Sequence, residues 1–322
     1  METTHTQYQT YITSTREEQK MLKAVPTQSL SELTFDTLNI RYDGSYRTLT
    51  FAMDPGTIPC FSPQLLKDIN SFQTWTSDYL KSTESKNDID FLIFGSDVPG
   101  IFNLGGDLKF FVDMITTGDR QTLQNYAELS IDVLYANFIN LNADVRTISL
   151  VTGTALGAGF EAALSSDYII AEAGSVFKFP EVVFNMFPGM GAYSFLSRRI
   201  SPALVERMII NAEGYTAEQL YEMGVVDVVA DPGEGELALR SFIKRLNKSN
   251  ITRRSVLRMR NRVMPLEKQE LLDIAHDWVD AAFSLSDRDI SAMSRLVRAQ
   301  TKMMSQQETQ EKPTDLPMQS HG

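Results

Sequence analysis

Short apolar strands alternate with helical stretches through the centre of this chain, and glycine concentrates where strand gives way to helix. Leu38–Tyr42 and Tyr46–Met53 flank an Asp43-Gly44-Ser45 turn and read as a hairpin. Further strands are predicted at Phe91–Phe94, Val145–Val151, Tyr168–Ala171, Val176–Phe179 and Val225–Val229. Helical spacing covers Ser62–Thr76, Leu108–Ile115, Leu123–Phe138 and a stretch from about Gly159. Three more helices are expected around Gly191–Ser197, Pro202–Asn211 and Thr216–Met223, and the rest, to about Met304, reads as helices broken near Pro265. This alternation predicts an α/β fold, with βαβ units around a mostly parallel sheet. In such folds ligands sit at strand-to-helix turns, where backbone N–H groups lack partners.

Two of those turns carry candidate chemistry. One is Phe102-Asn103-Leu104-Gly105-Gly106-Asp107, and the other runs from Gly153 through Gly157-Ala158-Gly159 to Glu161. Glycine lets a ligand approach the backbone closely. Two N–H groups converging from separate turns can bind one developing oxyanion, with a helix N-terminus adding to the field. That arrangement suits the enolate of a thioester, and loss of one donor costs about 3–4 kcal/mol. The same turns also serve to pack a helix on a sheet. Neither contains a GxGxxG fingerprint, and no P-loop Gly-Lys-Ser/Thr ending is present.

Glu161 falls in the first turn of its predicted helix among Phe160, Ala162, Ala163 and Leu164. Glu181 lies in Phe179-Pro180-Glu181-Val182-Val183-Phe184. Apolar surroundings raise a carboxyl pKa toward neutrality, and two such groups can work as general acid and base on adjacent carbons. A helix N-terminal charge and a surface loop charge are the plain alternatives.

Composition removes other classes. The single cysteine, Cys60, allows no intrachain disulfide. With three histidines, His5, His276 and His321, neither a His-based zinc site nor a Ser-His-Asp triad is expected, and His276 reads as structural. No apolar run approaches the roughly 20 residues that span a bilayer, and the polar N-terminus has no signal-peptide core. A cytoplasmic protein, not embedded in a membrane, is expected. A net charge of −11 argues against nucleic acid as a partner. The charge is uneven, however, for Arg240–Arg262 holds nine Lys or Arg and no Asp or Glu.

The stretch GTALGAGFEAALSSDYIIAEAGSVFKFPEVVFNMFPGMGA resembles the central motif of the crotonase (enoyl-CoA hydratase/isomerase) superfamily. It has the glycine turn, a glutamate, the Phe-x-x-Pro-Glu element and the Pro-Gly-x-Gly turn. Tyr215-Thr216-Ala217-Glu218-Gln219-Leu220 with Met223-Gly224-Val225-Val226-Asp227 extends the likeness, which covers roughly residues 35–300. Phe102–Leu108, Gly159–Ser165, Phe187–Leu196, Arg199–Pro202 and Arg295–Gln300 are similar to diffusible signal factor synthases. Those enzymes dehydrate 3-hydroxyacyl chains on acyl carrier protein and cleave the thioester, releasing a cis-2-unsaturated fatty acid used as a quorum-sensing signal.

The resemblance implies a crotonase spiral of ββα units with a C-terminal helical region. It implies Glu161 and Glu181 as the acid/base pair, 20 residues apart as in the family. Backbone N–H groups of Gly106 and Ala158 would form the oxyanion hole, with Gly105 and Gly157 beside the substrate. Ala158 stands where many relatives have glycine; a donor survives there if φ stays negative. Met190, Trp278 and Leu296 are candidate acyl-pocket residues, with core packing as the alternative, and Trp278 sits on a predicted helix Leu271–Phe283. No cofactor or metal is expected. The basic stretch would meet an acidic carrier protein or a CoA phosphate, or is a solvated helix face. A homotrimer or hexamer is expected. The boundaries read as an arm 1–28, a core 29–235, a helical region 236–304 and a disordered tail 305–322. Two other functions stay open: an enoyl-CoA hydratase/isomerase of fatty acid oxidation, and a non-catalytic regulator that contacts a sensor kinase.

Overall fold

A computed structural model describes residues 33–82, 88–248 and 250–311. The expected arm at 1–28 lies outside these residues, as do residues 312–322 of the expected tail.

A six-stranded sheet forms the frame. It takes β1 (Leu38–Asp43), β2 (Thr48–Met53), β3 (Phe91–Ser96), β5 (Arg146–Val151), β7 (Tyr168–Glu172) and β10 (Val228–Ala230) in the order β1-β2-β3-β5-β7-β10. β1 and β2 pair antiparallel as the expected hairpin, and every other pairing in this sheet is parallel. A parallel sheet must be buried on both faces, and the residues divide accordingly. In β3, Leu92 and Phe94 face the main core, whereas Phe91 and Ile93 face a second cluster under α8 (Gly235–Lys248).

Three strands of that sheet are each followed by a three-residue strand of a second sheet. These are β4 (Ile101–Asn103), β6 (Thr154–Leu156) and β8 (Val176–Lys178), joined by β9 (Tyr215–Thr216) in the order β4-β6-β8-β9. Strand, short strand and helix therefore repeat: β3 and β4 lead into α2 (Leu108–Thr117), and β5 and β6 lead into α4 (Ala158–Leu164). This is the ββα repeat that the resemblance implied. The two glycine-rich stretches are thus more than turns, since each holds a strand of the second sheet.

Local sequence explains the helix starts. α1 (Pro63–Lys81) has proline at its first position and Ser62 accepting from Leu65 N–H. Asp107 caps α2 by accepting from Phe110 N–H at 3.0 Å, and Asp119 caps α3 (Arg120–Phe138). Two short helices, α5 (Ala192–Leu196) and α6 (Pro202–Asn211), and then α7 (Ala217–Glu222) lead to β10. The last strand is shorter and later than the expected Val225–Val229, because Val225 and Val226 turn their N–H groups back onto Leu220 O.

After α8 come α9 (Asn250–Val263), α10 (Lys268–Ala282) and α11 (Asp287–Glu311), with the expected break around Pro265. α10 packs on α3, and α11 packs on α2. α11 continues past Ser305, where a disordered tail was expected. Nothing in Ser305–Glu311 breaks a helix, and the first proline beyond it is Pro313. Among the described residues no helix is long and apolar enough to cross a membrane.

Candidate active site

The two glycine-rich segments meet backbone to backbone. Gly105 has φ +101 and Gly157 φ +49, conformations that favour glycine. A β-carbon on Gly105 would lie 3.1 Å from Leu156 O and 3.6 Å from Ala158 N, so the start of α4 abuts the end of β4. One on Gly159 would lie 2.4 Å from Asn103 O, which requires glycine there.

Peptide geometry then aims two N–H groups. In a trans peptide the carbonyl and the following N–H point in opposite directions. Gly105 O accepts from Phe61 N–H at 2.7 Å, so Gly106 N–H points away from Phe61. Gly157 O accepts from Glu161 N–H at 3.0 Å, so Ala158 N–H points back out of the helix start. Neither N–H donates to another described residue, and Gly106 and Ala158 line one cavity. Ala158 is helical with negative φ, which keeps its N–H available. α4 has only seven residues, so the local N–H matters more than the helix dipole that the sequence invoked.

Glu161 and Glu181 line the same cavity. Glu161 is buried, and its Oε1 accepts from Met190 N–H at 2.7 Å and Ala192 N–H at 2.9 Å. Burial pushes its carboxyl up to about 7, against the opposing pull of the Ala192, Met190 and Gly191 amides. The Pro-Gly-Met-Gly turn therefore has a backbone function: it cradles this carboxylate. Gly191, at φ +116, gives the turn its shape.

Glu181 differs. It stands at the start of a 3-10 turn, Glu181–Phe184, where the sequence suggested a loop. The residue is half-buried, but its Oε2 is out of solvent contact and has no hydrogen-bond partner among the described residues. Burial, and then the charge of Glu161, hold its carboxyl well above the usual range. A β-carbon on Gly157 would sit 2.4 Å from Glu181 Oε1, so that glycine makes room for the carboxyl. One cavity thus holds two unequal carboxyls, Glu181 well above the usual range and Glu161 raised to about 7.

Met190 and Trp278 also line this cavity, whereas Gly105, Gly157 and Leu296 do not. Gly105 and Gly157 shape the backbone behind it. Leu296 is on α11 and packs, partly buried, against the main core. The cavity has a volume of about 50 Å³. That is room for a few waters and far below the roughly 300–1,000 Å³ of ligand pockets. Trp278 lines it from α10, pressed so near Gly189 that a β-carbon there would be 2.5 Å from its ring.

Sequence reasoning missed Phe111, Tyr126 and Ser130, which also line the cavity. Their spacing on α2 and α3 is that of ordinary core residues, so periodicity alone could not mark them. Cys60 is buried, and burial raises its thiol well above the usual range, as an inert cysteine requires. His276 lies outside the cavity and pairs with Glu128 at 3.1 Å. Among the described residues no three His, Cys, Asp or Glu come together in a way that could hold a metal.

The family model for enoyl-CoA hydratase/isomerase matches residues 68–310. The chain belongs to that family. Its curated relatives include the fatty acid oxidation complex subunit alpha of Pseudomonas paraeruginosa, 27% identical over 182 residues, or 56% of this chain and 25% of the relative. The corresponding subunit of Pseudomonas syringae pv. tomato is 25% identical over 207 residues, or 63% of this chain and 28% of the relative. The chain thus spans about a quarter of the length of the curated relatives it matches. Among solved structures, an enoyl-CoA hydratase from Bacillus halodurans superposes with a TM-score of 0.68 at 16% identity, covering 80% of this chain and 99% of that one. Pseudomonas aeruginosa DspI gives 0.53 at 22% identity, over 67% of this chain and 78% of its own. These likenesses establish the crotonase fold.

Proposed function

We propose that this family member dehydrates a 3-hydroxyacyl thioester on acyl carrier protein and then hydrolyses it, releasing a cis-2-unsaturated fatty acid, as diffusible signal factor synthases do. The observation that carries this reading is the unequal pair of carboxyls in one cavity, beside two outward-pointing N–H groups.

The steps balance on these groups. Gly106 and Ala158 N–H hold the thioester oxygen. Glu161, cradled by amides and able to ionise near neutral pH, takes the C2 proton as the enolate forms. The C3–O bond breaks as Glu181, held protonated, gives its proton to the leaving hydroxyl, and water departs. Glu161 is now protonated and Glu181 ionised, which is what hydrolysis needs. Glu181 takes a proton from water as it attacks the carbonyl, and Glu161 protonates the departing thiolate. Both carboxyls return to their starting states with no outside proton.

The acidic carrier would dock on Arg240, Lys244, Arg245, Lys248, Arg258 and Arg262, which are exposed. The other described side chains of that basic stretch are paired within the chain, Arg254 with exposed Asp144 and Arg260 with buried Asp167 at 3.0 Å. Exposed Val256, Met259 and Val263 on α9 support self-association into the expected trimer or hexamer.

The curated relatives named for fatty acid oxidation favour a second reading, in which the same carboxyls hydrate a 2-enoyl-CoA. Product analysis separates the two. Purified protein with 3-hydroxydodecanoyl-carrier protein should yield a free cis-2-enoic acid by mass spectrometry. No release from the carrier, with rapid hydration of a trans-2-enoyl-CoA, assigns the protein to the hydratases.

A further inference from the structure

We propose that the Tyr126 hydroxyl is a positioning group, which sets the direction of the Gly106 N–H by holding the Phe61 backbone that pairs with it. Its kinetic consequence rests on the function proposed above.

Gly106 lies between two peptide planes. The plane before it is fixed where Phe61 N–H donates to Gly105 O at 2.7 Å. Phe61 and Gly106 form a single parallel bridge, outside either sheet. Tyr126 stands at that bridge. Its hydroxyl donates to Phe61 O at 2.6 Å, on the residue whose N–H holds Gly105 O. Tyr126 therefore holds the residue that fixes the plane before Gly106 and that pairs with Gly106 across the bridge. Glycine has no side chain to limit its torsions, so without this tie Gly106 is the freest point of the turn.

The ring is built to hold the hydroxyl there. Phe110 and Phe111 pack on it, each with ring centroids 5.2 Å away. A β-carbon on Gly106 would lie 2.5 Å from Phe111 and 3.6 Å from the Tyr126 oxygen. Ser130 Oγ donates to Tyr126 O at 2.9 Å, one turn along α3. An oxyanion donor works only if it is already aimed before charge develops, and here the aiming group is on a rigid helix rather than in the turn.

Tyr126→Phe tests this, since it keeps the ring and removes the oxygen. Tyr135→Phe is the control: Tyr135 also donates to a backbone carbonyl, Leu266 O at 3.5 Å, but away from the cavity. Two readouts are taken on the full chain: turnover of 3-hydroxydodecanoyl-carrier protein and trans-2-decenoyl-CoA, and amide hydrogen exchange of the peptide spanning residues 104–107. Tyr126→Phe should lower kcat about tenfold or more with KM changed less than about threefold, because the donor acts mainly in the transition state. Exchange in 104–107 should quicken about tenfold, while Tyr135→Phe matches the wild type in both. Wild-type exchange in Tyr126→Phe, or a loss confined to KM, overturns the proposal. A wild type that turns over neither thioester sinks the proposed function instead, and the exchange readout still decides the role of Tyr126.

Discussion

Glu161 should make the fold lose stability as pH rises, by an amount that one substitution removes. Its carboxyl has an ordinary value of 4.5 and is pushed up to about 7 in the folded chain. Between those values the folded chain keeps a proton that the unfolded chain has released. The contribution is therefore fully present below pH 4.5, declines as pH climbs, and is gone above pH 7. A difference of that size amounts to about 3 kcal/mol. Glu161→Gln keeps a carbonyl for the Met190 and Ala192 amides but cannot ionise. Urea unfolding of both proteins at pH 5 and pH 8 measures the effect. The wild type should lose about 2.5 kcal/mol more than the variant over that interval, since the first part of the loss is complete by pH 5. Equal pH dependence in the two proteins would refute the assignment of a buried, titrating Glu161.

Three further outcomes follow from the same geometry. Gly157→Ala places a methyl 2.4 Å from Glu181 Oε1 on a backbone with φ +49; it should cost roughly 1 kcal/mol or more in thermal unfolding and lower kcat. Trp278→Leu opens a cavity of about 50 Å³, so competition among acyl thioesters of increasing length should shift toward longer chains. Arg260→Ala strips an ion pair from Asp167, whose side chain is 2% exposed. It should cost about 3 kcal/mol at neutral pH, with a smaller loss in acid where the carboxyl is protonated, read by unfolding midpoints at both pH values.

Much of the frame was legible because its elements are long enough to carry a period. The β1–β2 hairpin, the runs at β3, β5 and β7, and α1 to α3 all declare themselves by alternation or by helical spacing. Of the second sheet only β8 did, within the expected Val176–Phe179, since β4 and β6 are three residues each and run through glycine-rich segments. Periodicity has nothing to work on at that length. Glu161 and Glu181 stood out as charges among apolar residues, and the structure gathers both with Gly106, Ala158, Met190 and Trp278. What it adds is tertiary: the amides of the Met190 turn on Glu161, the unpartnered oxygen of Glu181, and Tyr126 at the Phe61 bridge. Leu296 lies outside that cavity, and a helical apolar residue looks the same in sequence whether it faces a cavity or the core.

Proton transfer at C2 tests the central claim most directly, because it does not depend on which carrier the thioester uses. In heavy water the protein should add water to a cis-2-enoyl thioester, the reverse of the proposed dehydration, and leave one deuterium at C2 for each turnover, seen by mass spectrometry. Glu161→Gln and Glu181→Gln should each abolish that label, as the paired carboxyls require. Full labelling with both glutamates replaced would contradict the account and move the chemistry to groups elsewhere.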